Sequence, residues 1–136
     1  MKVEAAAGSA DPKACPDAVA GVLDALYDLW EFWSKVAGLN MRSEDAALSG
    51  DADGEVAAAL MHARGSKSHA LVEFSEYTDT IAERFYDHYG CWRWQPHTDP
   101  RFPRRDHWYG VHVANQEVSA PLEAAVRWLR SRPELI

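Results

Sequence analysis

Arg64-Gly65-Ser66-Lys67-Ser68-His69 separates a guanidinium and an imidazole by four residues. A guanidinium can hold and neutralise a phosphate while a neutral imidazole moves a proton, which is the minimum for metal-free RNA cleavage by the neighbouring 2′-hydroxyl. Spacing alone is common in a chain with ten Arg and six His; Arg101 with His107 and Arg105 with His112 fall in similar windows. Context separates them: Arg64 closes an apolar-periodic helix and His69 opens the next element, so both side chains can be fixed. At ~100° per residue, a continuous helix would put them about 140° apart. Closing the site therefore requires a break at Gly65 or a second copy from a partner chain.

Other chemistries fit less well. His88-x-x-Cys91 followed by His107 and His112 resembles two-plus-two zinc spacing. Gly90 interrupts the first pair at an expected helix end and aromatics crowd the second, so the alternative is histidines that hydrogen-bond at the core edge; no metal or cofactor is expected. Asp51-x-Asp53-Gly54 invites a calcium loop, but its twelfth position is His62 where a bidentate Glu is needed, which leaves a turn and helix cap. No Gly-x-Ser-x-Gly elbow and no phosphate-cradling Gly-rich loop is present. Arg93, Arg101, Arg104 and Arg105 face only Asp99 between residues 93 and 105, a basic window that could meet phosphate together with Lys67, or serve as a solvated turn.

The elements that must position these residues read as mainly helical. Pro16 and Asp17 start a helix that ends at Gly38, with Val19, Leu23, Leu26, Trp30, Trp33 and Ala37 in a heptad-like seam. Val22, Leu29, Phe32 and Val36 flank that seam, so it is read as a core face or a dimer seam. Ser43 is expected to open a short helix to Leu48, and a third helix runs from near Gly54 to Arg64-Gly65. Ser66–Tyr89 fits a helical period with Gly90 as the stop, while Val72-Glu73-Phe74 also reads as alternating strand. Cys91–Gln95 alternates and is expected to be extended. A loop from Pro96 to Arg105, a helix over Asp106–Ala114 and an amphipathic helix opened by Ser119 and Pro121 complete the chain. The expectation is an all-α bundle of four to six helices: residues 1–16 a flexible tail, residues 17–136 one domain.

The chain has 136 residues, 47% of them hydrophobic, which suits one core and excludes disordered and collagen-like classes. Its charge of −7 is all in the first sixty residues, with four Lys/Arg against eleven Asp/Glu, while the rest carries ten of each. The acidic half repels nucleic acid and could engage a protein partner. Cys15 and Cys91 are read as free thiols. With no secretory apolar run and no stretch of membrane-spanning length, a cytoplasmic chain that avoids membranes is expected.

The Arg64–His69 segment resembles the signature of HEPN proteins, small helical proteins with Arg, four to six residues, then His. With Ala63 before it, Trp92-x-Trp94 and a closing Val113-Ala114-x3-Val118-x3-Leu122 pattern, the chain looks like a family of uncharacterised actinobacterial and actinophage proteins. That likeness covers residues 18–132, and where the family commonly has Asn after the Arg this chain has Gly65. The resemblance implies a homodimer that pairs two motifs into one RNA-cleaving site, in a toxin, antiviral or phage setting, with Arg64 on phosphate and His69 as acid/base. The alternative is a non-catalytic helical interaction module in which Arg64 caps a helix and His69 supports packing.

Overall fold

In the computed structural model, which describes residues 14–65, 72–77, 89–96, 98, 99 and 101–135, the chain is mainly helical. Helices α1 (Ala14–Ala37), α2 (Met41–Leu48) and α3 (Ala52–Gly65) precede strands β1 (Val72–Tyr77) and β2 (Tyr89–Trp94); α4 (Pro103–His112), α5 (Ser119–Arg130) and a 3₁₀ turn at Pro133–Leu135 follow. No helix among the described residues is long and apolar enough to cross a membrane.

The heptad-like seam of α1 lies inside the chain's own core: Val19, Leu23, Leu26, Trp30 and Trp33 are buried. Trp30 and Trp33 meet edge-on at 5.1 Å, and Trp128 of α5 closes on both, at 5.5 and 4.9 Å between centroids. The seam is thus occupied within one chain and cannot also be a dimer seam. Its flanking row stays on the surface, with Leu29, Phe32 and Val36 about half exposed. Gly38 ends α1 at φ 71°, where a side chain would be strained, and lets the Leu39 amide reach back to the Ser34 carbonyl.

The central helix is α3, buried from Val56 to Ala63 and packed chiefly against α4 and α5. Its alanines allow close approach, and Gly54 sets the closest point: a Cβ there would stand 2.9 Å from Leu48 and 3.0 Å from the Trp128 indole nitrogen. The Asp51 turn is a cap, as read from the sequence. One Asp51 oxygen accepts the Gly54 amide and the other accepts the Trp128 indole N–H.

Four boundaries move. The first helix begins at Ala14, so Ala14, Cys15 and Pro16, read as the end of a tail, form its first turn. The second helix begins at Met41 because Asn40, not Ser43, is the N-cap; Ser43 is the third helical residue and completes a reciprocal capping box with it. α3 begins at Ala52, and α4 spans Pro103–His112, because Pro103 supplies the preset first turn expected at Asp106.

The larger correction concerns Ser66–Tyr89, where the helical reading fails over Val72–Tyr77 and its alternative, an alternating strand through Val72-Glu73-Phe74, holds. Val72–Tyr77 is a strand, paired antiparallel with Tyr89–Trp94 in register Val72↔Trp94 through Tyr77↔Tyr89; residues 66–71 and 78–88 lie outside the described residues. The extended reading around Trp92–Trp94 holds. β2 gains a second partner from the α4–α5 connection: Trp94 accepts the Asn115 amide and donates to Gln116, and the Val118 amide donates to Trp92. Asn115, at φ 66°, makes the turn that permits this. Trp94 is fully buried, with its indole N–H on the Val118 carbonyl.

Candidate functional site

Arg64 stands in the last described turn of α3, one residue before Gly65. Its guanidinium lies 3.9 Å over the Tyr27 ring of α1, and its Nε donates to Asp24 at 3.0 Å. Among the described residues these are its partners, and the Arg64 side chain keeps 34% of its exposure. Tyr27 is held in turn by Glu31, one turn along α1. Their hydrogen bond, with burial and the Glu31 charge, raises the Tyr27 hydroxyl pKa against the opposing pull of Arg64.

Arg64 lines a cleft of about 830 Å³ whose walls come from α1, the end of α3 and the segment entering α4. His62, buried two residues before Arg64, borders it: its ring meets Phe102 edge-on at 5.7 Å and its Nε2 lies 3.7 Å from Asp106. The same Asp106 oxygen accepts the Asp99 amide at 2.7 Å, which fixes the loop before α4.

The four arginines of the basic window do not form one open patch. Arg105 is buried, its Nε 2.7 Å from Asp45 and its Nη2 2.8 Å from Glu44, while Ser34 donates to the second Glu44 oxygen. That guanidinium ties α4 to α2 beneath the cleft and is not available to a polyanion. Arg93 donates to the Asn115 carbonyl and so fastens the hairpin to the α4–α5 connection. Arg101 is 75% exposed on the cleft and clamped in two-point fashion by Asp99. The Arg101 bond holds the Asp99 carboxyl down to about 2, against the contrary effect of desolvation. Arg104 is exposed on α4. Lys67 and His69 lie outside the described residues, as does His88 of the zinc-like set. His112 of that set pairs with Glu55 at 2.9 Å.

Sequence reasoning missed Asp24, Tyr27 and His62. Asp24, Tyr27 and Glu31 follow a three-then-four spacing along the rim of the α1 stripe, a signal for one helix face. Nothing local links that face to Arg64, forty positions away. Comparison with protein-family models, curated proteins and solved structures found no match to this chain.

Proposed function

We propose that this chain is a HEPN-like, metal-independent endoribonuclease that works as a cytoplasmic homodimer in a toxin, defence or phage context, with Arg64 binding the scissile phosphate and His69 moving the proton. The observation that supports it is the setting of Arg64. It sits on a cleft in the last described turn of α3, seated on an aromatic ring and held, among the described residues, by one exposed carboxylate that a phosphate can replace at small cost.

Purified protein is expected to cleave RNA in the presence of chelators and leave 2′,3′-cyclic phosphate ends. His69→Ala forfeits about 10²–10⁴ in rate, and Arg64→Ala about 10²–10³. Wild-type protein that cleaves no RNA overturns the reading.

A second reading, a helical interaction module, draws on the half-exposed row Leu29, Phe32 and Val36 beside Asp24, Asp28 and Glu31. This row would also serve a second copy of the chain, because the neighbouring seam is used internally. A dimeric mass in light scattering that becomes monomeric with Leu29→Glu would favour self-association through this row.

A further inference from the structure

We infer that the exposed face of α1 docks a basic amphipathic helix of a protein partner, whose apolar side chains cover Leu29 and Val36 and whose arginine lies on the Phe32 ring beside Asp28. The inference rests on the interaction-module reading and names the chemistry of its partner.

The face has the length and spacing that a docked helix uses. Gly21, Ala25, Leu29, Phe32 and Val36 follow one another at intervals of 4, 4, 3 and 4 and are all exposed, the last three about half open to solvent. At 1.5 Å per residue the row is about 22 Å long. Among the described residues nothing comes within 4 Å of where a Cβ on Gly21 would stand, so a partner backbone can approach closely at that end.

Charge sets the sign of the occupant. α1 carries Asp17, Asp24, Asp28 and Glu31 against Lys35, all exposed, four acids to one base and so a net charge of −3. Asp28 lies one turn before Phe32, and among the described residues no cation pairs with it. An antiparallel second copy would bring two such acidic rows to the same side of the contact, like charge against like. A helix bearing Arg or Lys meets opposite charge there.

The protein itself shows which cation suits these surfaces. Around the neighbouring cleft a guanidinium meets both a ring and a carboxylate three times: Arg64 with Tyr27 and Asp24, Arg101 with Phe102 and Asp99, Arg105 with Trp30 and Glu44. The distances to the ring centres are 3.9, 5.8 and 5.6 Å. Phe32 and Asp28 border the same cleft and offer a fourth such pair, a ring 56% exposed with a carboxylate one turn away. The three cleft arginines are satisfied within the chain, so the fourth guanidinium comes from outside. Its planar group can stack and hydrogen-bond at once, which an ammonium does less well.

The test titrates full-length protein into three fluorescein-labelled peptides of about eighteen residues, about five helical turns. Each has Leu along one face, Ala elsewhere and a flank of Arg, of Lys or of Glu. The Arg peptide is expected to bind, the Lys peptide about 2- to 5-fold more weakly and the Glu peptide about tenfold more weakly or worse. Phe32→Leu, which keeps apolar bulk and removes the ring, is expected to weaken the Arg peptide about 2- to 5-fold and to erase its advantage over the Lys peptide. Asp28→Asn should bring a similar loss that fades as salt is raised. Leu29→Glu should abolish binding of the Arg peptide. Circular dichroism confirms that each variant is folded.

Equal binding of the Arg and Glu peptides overturns the inference, as does unchanged Arg-peptide affinity in folded Phe32→Leu and Asp28→Asn. If Leu29→Glu still abolishes binding in those cases, the interaction-module reading survives without its basic partner. If Leu29→Glu leaves binding intact, the peptide sits elsewhere and both fall. A wild-type dimer that Leu29→Glu makes monomeric gives the face to a second copy and overturns the inference, and so does the absence of binding to all three peptides.

Discussion

Arg105 and Arg64 border the same cleft and spend the same chemical group in opposite ways. Arg105 is 7% exposed, held by Glu44 and Asp45, and 5.6 Å from the Trp30 ring. Arg64 is 34% exposed, held by one carboxylate that is itself 68% exposed. A guanidinium with one buried and one half-buried counterion belongs to the fold, since removing it leaves both carboxylates without their cation where water reaches them poorly. One with a single solvated counterion can exchange it for a ligand, because water has already weakened the bond. The number and burial of partners, more than the residue type, separates a structural arginine from one free to bind.

Breaking the structural member should have the largest effect. Arg105→Ala is expected to cost about 3–5 kcal/mol by leaving Glu44 and Asp45 unpaired against the core. Urea unfolding of Arg105→Ala, alone and combined with Glu44→Gln, measures it. A loss in Arg105→Ala below about 1 kcal/mol would place Arg105 on the surface with Arg64 and erase the contrast.

Neither fate was legible in the sequence. The window around Arg105 contains only Asp99 as an acid, and its true partners lie 60 and 61 positions earlier, brought close when α4 docks on α2. The helices were legible where apolar spacing is sustained: Val19 to Trp33, with Gly38 as a local stop, and Val56 to Ala63. Val72–Tyr77 was legible only in part: Val72-Glu73-Phe74 alternates, but Leu71, Phe74, Ile81 and Phe85 mimic a helical period, and the choice is made by β2, whose residues begin twelve positions on. The alternation of Trp92 and Trp94 was readable because its turn boundaries, Gly90 and Pro96, adjoin it. Of the candidate site, Arg64 was legible; Tyr27 and Asp24 could be found only once α1 and α3 were packed.

Between the extremes lies Glu55, the partner of His112 across α3 and α4. Burial raises its carboxyl pKa, but the Gly50 amide and His112 outweigh that and hold it below the usual value. A carboxyl lowered in the folded state contributes stability above its unfolded pKa and loses it as pH falls through the folded one. Stability should therefore decline on acidification below about pH 4–5, the unfolded range of such a group. Glu55→Gln is expected to cost about 1 kcal/mol at pH 7 and to flatten that decline, read from melting temperatures between pH 3 and 7. A slope identical to wild type would assign the acid sensitivity to other carboxylates, Asp99 beside Arg101 foremost, whose pKa its arginine holds down to about 2.

The smallest effect on stability, and the one that sharpens the comparison most, is expected at Asp24. Asp24→Asn removes the charge that holds Arg64 while keeping the side chain's size. With both partners substantially exposed, the loss should stay within about 1 kcal/mol, so melting should scarcely change. If Asp24 occupies Arg64 in the place a phosphate would take, the neutral variant should bind a short fluorescein-labelled RNA several-fold more tightly in low salt. The gain should shrink as salt screens the carboxylate in wild type. If Asp24 instead aims the guanidinium, Asp24→Asn should weaken binding, because Arg64 keeps its charge and loses its direction. Either change of affinity without a change of stability marks Arg64 as an arginine held for use. A fall in melting temperature comparable to that of Arg105→Ala would make it a second structural one.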